Sequence, residues 1–242
     1  MQRFEFEISL RKAAFVAAFF VSAFGLPVAG SQLPGNRYHL VLEANPAVPF
    51  PFLGRFGTIE LHVYPQGVRG ETVWLNGFIR NDASDITVEN PLGRMYTEVP
   101  VTSVGSIVRK IATSLPKTLE FTAAPPVTGP VAGTVHGIAA KRYRIIYGEE
   151  AWIDVWTTDT LGDAPQLRAI MMQLVSGISP LTAKSAATIP GVPLYVELNF
   201  SHFHKLPLVK VKTLTFDPAG EESALKVGRV YMHAPLLDSL WK

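Results

Sequence analysis

Short segments in which apolar and polar residues alternate recur along most of this chain, and they constrain its fold more than any other feature. The segments 38–43 (YHLVLE) and 59–64 (IELHVY) place apolar side chains at every second position. A period of two is typical of a β-strand with one face in a core. Comparable segments, separated by turns, follow at 139–148, 149–158, 193–201, 207–216 and 227–233. The sequence therefore predicts a mainly β protein.

Two segments have the spacing of amphipathic helices instead. Within 101–115 apolar residues recur every three or four positions, and Pro116 follows as a stop. Within 163–176 a similar apolar stripe is followed by Gly177, which is expected to end the helix. The segment 122–133 is rich in proline and glycine and is predicted to be a long loop. Together these patterns predict an antiparallel sheet with two inserted helices as cover.

The first thirty residues have the three parts of a secretory signal peptide. Arg11 and Lys12 precede an unbroken apolar run at 13–24, and small residues follow it. Cleavage is predicted between Gly30 and Ser31. The apolar run is shorter than the roughly 20 residues that a membrane-spanning helix needs. We therefore expect export to the periplasm or the outside of the cell, with a retained N-terminal anchor as the alternative.

The remainder, 31–242, has the length of one domain with its own core. The chain contains no cysteine, which excludes disulfides, cysteine-based zinc sites, thiol catalysis and the lipid anchor of a bacterial lipoprotein. Its net charge is only +2, and its lysines and arginines are scattered. A nucleic-acid partner is therefore not expected. After removal of 1–30, we expect a soluble domain with no stable transmembrane anchor.

Motifs that would identify an enzyme or a cofactor site are missing from the sequence. It has no Gly-x-Ser-x-Gly, no phosphate-binding glycine loop and no His-Glu-x-x-His. We therefore predict no cofactor and no metal. If a metal does bind, the best candidate ligands are His202 and His204, which would share one face at a strand end. The alternative, which we favour, is that both histidines lie in a solvated loop.

Aromatic residues are a clearer feature than any ionisable group. Trp74 and Phe78 share one face of 71–80, a segment that is apolar on both faces and is therefore predicted to be covered on both sides. Trp152 and Trp156 share a face of a later strand, and Tyr143 lies on the strand before it. These five residues are the predicted ligand-binding residues if they converge under the helix at 163–176. The alternative is an ordinary core.

Asp154 lies between the two tryptophans of the later strand, Trp152 and Trp156. A carboxyl group among aromatic side chains could serve as an acid in a hydrolase. The alternative, which we favour, is that it lies at an exposed strand edge.

The segment 137–161 carries a resemblance to a known family. It contains Gly137, Tyr143 six residues later, and then the sequence VWTT at 155–158, while the chain closes with LLDSLW at 236–241. These features resemble a family of exported bacterial proteins with a domain of unknown function, which is grouped with the lipoprotein-carrier (LolA-like) fold. The resemblance implies a strongly curved antiparallel sheet, a half-open barrel whose concave face is covered by helices over an apolar cavity. It assigns no catalytic residues.

Three functions remain open on these grounds. The first is an exported binding or carrier protein that holds a lipid-like or other apolar ligand in the half-barrel, with the helix at 163–176 and the loop at 122–133 as a lid. The second is an envelope structural or interaction protein whose barrel is filled and which binds a protein partner through an edge strand. The third is a metal-dependent or acid/base hydrolase that uses Asp154 or the pair His202 and His204. We favour the first.

Overall fold

Twelve β-strands and three α-helices make up most of the chain that the structure, a computed structural model, describes. It describes residues 37–44, 58–72, 75–112, 123–162, 165–201, 203–216 and 222–235. The strands are β1 (Tyr38–Ala44), β2 (Thr58–Tyr64), β3 (Gly67–Glu71), β4 (Asn76–Arg80), β5 (Asp85–Asn90), β6 (Met95–Pro100), β7 (Val127–Val135), β8 (Ile138–Ile146), β9 (Ala151–Thr158), β10 (Val192–Phe200), β11 (Phe203–Thr215) and β12 (Met232–His233). The helices are α1 (Val104–Ala112), α2 (Pro165–Ile178) and α3 (Pro180–Ala186).

Some predicted features lie outside the described residues. They are the signal peptide 1–30 with its cleavage position at Gly30 and Ser31, the indole of Trp74, and His202. The closing segment 236–242 lies outside them as well.

All twelve strands belong to one sheet, built from two antiparallel meanders. Strands β1 to β6 form the first meander and β7 to β11 the second, and the pairing of β1 with β11 joins them. Strand β12 adds to β6 in parallel. The sheet is curved, and within the described residues it runs from β12 at one edge to β7 at the other without closing. The predicted half-open barrel with helical cover is therefore confirmed.

One face of the sheet, here called the inner face, packs against the helices. Its side chains are the apolar members of each alternating segment, such as Leu40, whose register partners Leu61 and Leu214 lie on the same face. Met171 and Val175 of α2 belong to the same core cluster. The opposite, outer face carries the polar members of the strands. The alternation in the sequence thus corresponds to the two faces of the sheet.

Helices α1 and α2 cross in close contact over the inner face. A Cβ atom at Gly177 would lie 2.5 Å from the carbonyl oxygen of Gly105 and 2.7 Å from Cβ of Val108. Both glycines therefore permit the close approach of the two helices. The prediction that Gly177 ends its helix is wrong by a small margin, because α2 continues to Ile178.

The two predicted helices are confirmed, and a third follows directly. Helix α3 begins after Ser179, whose Oγ accepts a hydrogen bond from the backbone N–H of Thr182 at 3.3 Å. Such an N-cap stabilises a helix by about 1 kcal/mol. None of the helices in the described part of the chain has the length and hydropathy that a membrane crossing requires.

Two local predictions are wrong. The expected single strand 71–80 is interrupted, because Thr72 and Leu75 form a hydrogen-bonded turn between β3 and β4. The expected loop 122–133 largely belongs to strand β7. Since β7 is an edge strand of the described sheet, it accommodates Pro130, which has no N–H to donate to a neighbour. This segment is therefore part of the sheet and not a lid.

Candidate functional site

An apolar cavity lies between the first meander and the two helices α1 and α2. It has a smaller lobe of about 330 Å³ over β2 to β4 and a larger lobe of about 500 Å³ over β5 and β6. The two lobes are adjacent, because both are lined by Leu75, Ile86, Val88 and Ile170. Volumes of this size fall in the range of small-molecule binding sites.

Two glycines open the floor of the smaller lobe. In the sheet register, Gly70 of β3 lies opposite Gly77 of β4, and the row continues to Leu61 on one side and Val88 on the other. Neither glycine has a side chain to fill the inner face. A Cβ atom at Gly77 would have only ordinary contacts, 3.6 Å from the carbonyl oxygen of Thr87 and 3.8 Å from Cγ2 of Ile86. The space above this row is therefore open.

The cavity reaches solvent and has few polar groups. Leu75 is 42% exposed and Met95 is 38% exposed, although both line the larger lobe. Polar residues are a minority of the lining and comprise Thr72 and Asn76 in the smaller lobe and Asn90, Tyr96 and Thr97 in the larger, and of these Asn76 and Tyr96 belong to an outer-face row of the sheet. Such a site favours an apolar ligand, since each buried methylene group is worth about 0.8 kcal/mol.

In contrast to the first meander, the second meander has a tightly packed inner face. Its inner face carries Ile145, Ile153, Val155 and Leu198, all with no measurable exposure. Tyr147 lies near α3, where its hydroxyl is 3.4 Å from Oγ1 of Thr182, and burial raises the pKa of this tyrosine. The described half-barrel is therefore filled on one side and open on the other.

The predicted ligand-binding residues are dispersed in the structure. Phe78 is among the residues that border the smaller lobe, but its register partners Arg69 and Thr87 lie on the outer face, and the guanidinium of Arg69 is 5.9 Å from the centroid of its ring. Trp74 lies in the part of the chain that is not described. Tyr143 is buried in the packed second meander, beside Ile145. Of the four described residues, Phe78 is the one that borders the cavity, and its ring lies on the outer face of β4.

Trp152 and Trp156 lie on the outer face of β9, where Trp156 is partly buried against the core cluster. They alternate with Ile153 and Val155, whose side chains occupy the core. The guanidinium of Arg144 lies 4.7 Å from the ring centroid of Trp152. The prediction that the tryptophans converge with the other aromatic residues under α2 is therefore wrong, because the face of β9 that carries Ile153 and Val155 is the one that packs inward.

Asp154 shares this outer face but is only 3% exposed. Its carboxylate accepts hydrogen bonds from Nε and Nη2 of Arg144 at 2.8 and 3.0 Å, and from Trp152 and Asn199 at 3.3 Å each. The same hydrogen bonds raise the pKa of Arg144. The prediction that Asp154 lies at an exposed strand edge is wrong, since β9 lies between β8 and β10. Because its carboxylate is hydrogen-bonded and paired with Arg144, Asp154 has a structural role.

The histidines that the structure brings together differ from those singled out in the sequence. His204 lies in β11, so the solvated loop expected there is replaced by a strand. On the outer face of β1 and β2, His39, Glu60 and His62 form a cluster. Burial, followed by the nearby charge of His39, lowers the pKa of His62. The sequence places these residues at alternate positions of two strands, but only the register makes them neighbours.

Comparisons with known proteins do not assign this site. No protein-family model matches the sequence, and no curated protein matches it. A solved structure described as an uncharacterized conserved protein from Thermus thermophilus is similar to this chain with a TM-score of 0.42 and 8% sequence identity. The match covers 93% of this chain and 98% of that one.

Proposed function

We propose that this protein binds or carries an apolar, lipid-like ligand in the two-lobed cavity. The observation that carries the proposal is the larger lobe of about 500 Å³, lined mainly by aliphatic side chains and adjacent to a second apolar lobe. Burial of hydrocarbon would supply the affinity, and the few polar side chains would orient a polar group of the ligand.

The free-energy cost of leaving the cavity without a ligand supports a binding function. Both lobes reach solvent, so without a ligand their aliphatic walls leave apolar surface in contact with water, at a cost of roughly 25 cal/mol per Å². The contrast with the tightly packed second meander indicates that the first meander is kept open for a ligand.

Export belongs to the same proposal. A signal peptide at 1–30 would deliver the domain 31–242 to the periplasm or the outside of the cell, where an apolar molecule needs a carrier to cross water. The resemblance of 137–161 to exported proteins of the LolA-like group is in line with this role.

The envelope-protein alternative expects a filled barrel, and the open lobes count against it. The hydrolase alternative loses its candidate acid, because the carboxylate of Asp154 is fully engaged by Arg144.

The test combines extraction and probe binding. Lipids that copurify with the exported protein are identified by mass spectrometry, and the delipidated protein is titrated with the fluorescent probe N-phenyl-1-naphthylamine. Ile170→Trp fills the wall that the two lobes share, whereas Thr213→Trp adds the same side chain at an exposed position of β11. We expect Ile170→Trp to weaken probe binding at least about tenfold, a loss of about 1.4 kcal/mol. Absence of copurified lipid and of probe binding would refute the proposal.

A further inference from the structure

Three side chains with metal-binding chemistry converge on the outer face of β1 and β2. His39 and His62 are direct register partners across the two strands, and Glu60 lies two residues before His62 on the same face. The imidazole rings stack with centroids 4.2 Å apart and an interplanar angle of 8°. Both rings therefore present their edges to the same carboxylate.

The distances between the donor atoms are close to those of a metal site. Nε2 of His39 lies 3.1 Å from Oε2 of Glu60, and Nε2 of His62 lies 3.9 Å from the same oxygen. One donor atom from each of the three side chains lies within 4.8 Å of the other two. Ligands bound tetrahedrally at about 2.1 Å from a zinc ion are roughly 3.4 Å from one another. Small side-chain rotations would thus bring all three donors onto one ion.

We propose that His39, Glu60 and His62 bind a divalent transition-metal ion of the Zn²⁺ class, with the fourth position open to water or to another ligand. Two imidazoles and a carboxylate suit Zn²⁺ and its neighbours better than Mg²⁺ or Ca²⁺, which prefer oxygen ligands. Each histidine side chain is 24% exposed and Glu60 is 46% exposed, so an ion can enter from solvent.

The charges around the cluster allow a cation to bind. Glu71 of β3 is the register partner of Glu60 and adds negative charge beside it. Arg69, the nearest positive side chain on β3, is bound to Glu71 at 2.5 Å and to Glu89 at 2.9 Å. Arg69 is the register partner of His62 and lies beside the cluster, but Glu60, Glu71 and Glu89 together outnumber its single positive charge. The site would link β1 to β2 on the face opposite the cavity, so it does not depend on the proposed ligand.

The test uses the purified protein after removal of metal with EDTA, titrated with ZnCl₂ in a calorimeter. We expect one Zn²⁺ per chain. Glu60→Gln and His62→Gln should each weaken binding by at least about tenfold, because even the loss of an outer-shell partner of a metal ligand costs 10–100-fold. His136→Asn removes an exposed imidazole from the β7–β8 turn and should leave binding unchanged.

Two results would overturn the proposal. One is Zn²⁺ binding by Glu60→Gln and His62→Gln with the affinity of the unaltered protein. The other is loss of binding in the double variant His202→Gln/His204→Gln while His62→Gln still binds, which would place the metal at the pair singled out in the sequence. Glu60 is nearly half exposed, so Glu60→Gln is expected to fold normally, and thermal melting of the metal-free variants checks this.

Discussion

Replacing Gly77 with valine tests the cavity, because it should stabilise the protein while it blocks ligand binding. Gly77 lies on β4 beneath the smaller lobe, opposite Gly70. Its backbone φ is not in the left-handed region, so a β-branched residue can adopt it. A Cβ atom there meets its nearest neighbours at 3.6 and 3.8 Å, which are ordinary van der Waals distances. The new side chain would enter open space without displacing the sheet.

The expected gain follows from burial and strand preference. The three carbon atoms of valine bury apolar surface worth about 0.8 kcal/mol per methylene group, or roughly 2 kcal/mol in total. Valine is also preferred over glycine in strands by up to about 1 kcal/mol. Because part of the side chain still faces the open lobe, we expect a gain of about 2 kcal/mol in the free energy of unfolding. For a chain of this size that raises the melting temperature by roughly 4–8 °C.

Calorimetric melting of the delipidated protein measures the gain, and titration with N-phenyl-1-naphthylamine measures binding. Thr87→Val is the matched control, because it replaces a hydroxyl with a methyl group on the outer face of the adjacent strand β5. We expect Gly77→Val to weaken probe binding at least about tenfold and Thr87→Val to leave it unchanged. A stabilised Gly77→Val variant that still binds the probe as the unaltered protein does would refute the cavity as the binding site.

Two further predictions concern the stability of the scaffold. Gly177→Ala should lower the free energy of unfolding by about 1–2 kcal/mol, because overpacking against Gly105 and Val108 costs about 1–3 kcal/mol and exceeds the gain of up to about 1 kcal/mol in helix propensity. Arg144→Met should lower it by about 2–3 kcal/mol, since it leaves the buried carboxylate of Asp154 without its ion pair, although the partial exposure of Arg144 reduces the loss. Urea unfolding at neutral pH measures both.

Controls for these two variants come from the same elements. Ser176→Ala tests the effect of adding helix propensity beside Gly177, and it should change stability by less than about 0.5 kcal/mol. The double variant Arg144→Met/Asp154→Asn should recover part of the stability that Arg144→Met loses, because no unpaired charge remains. A Gly177→Ala protein as stable as the unaltered one would mean that α1 and α2 can separate at no cost.

Local patterns in the sequence were sufficient to predict the class of fold. Alternation at 38–43, 59–64 and 193–201 corresponds to β1, β2 and β10, and the two apolar stripes correspond to α1 and α2. These predictions succeed because period and propensity act over a few neighbouring residues. Two predictions of secondary structure failed. The composition of 122–133, rich in proline and glycine, predicted a loop where the chain forms the edge strand β7. The apolar segment 71–80 predicted one strand, but a short turn at Thr72–Leu75 divides it.

The face that each strand turns inward was harder to predict. Trp152, Asp154 and Trp156 share a face, as the sequence predicts, but the neighbouring strands decide which face is buried against the helices. Ile153 and Val155 belong to the core cluster that includes Met171 and Val175 of α2, whereas Trp152 and Trp156 lie on the other face of β9 beside Arg144 and Arg142. Aromatic residues were the most visible feature of the sequence, yet most of them do not border the cavity.

By itself, the sequence determined that this protein is mainly β, antiparallel and covered by helices, because alternation and helical spacing are local properties. Only the tertiary structure decided where the open space lies and which polar groups meet. The cavity depends on Gly70 and Gly77 being opposite each other, and the cluster of His39, Glu60 and His62 depends on His39 being opposite His62. Both are set by strand register, which is a property of residues distant in the chain and follows from the packing of the whole sheet.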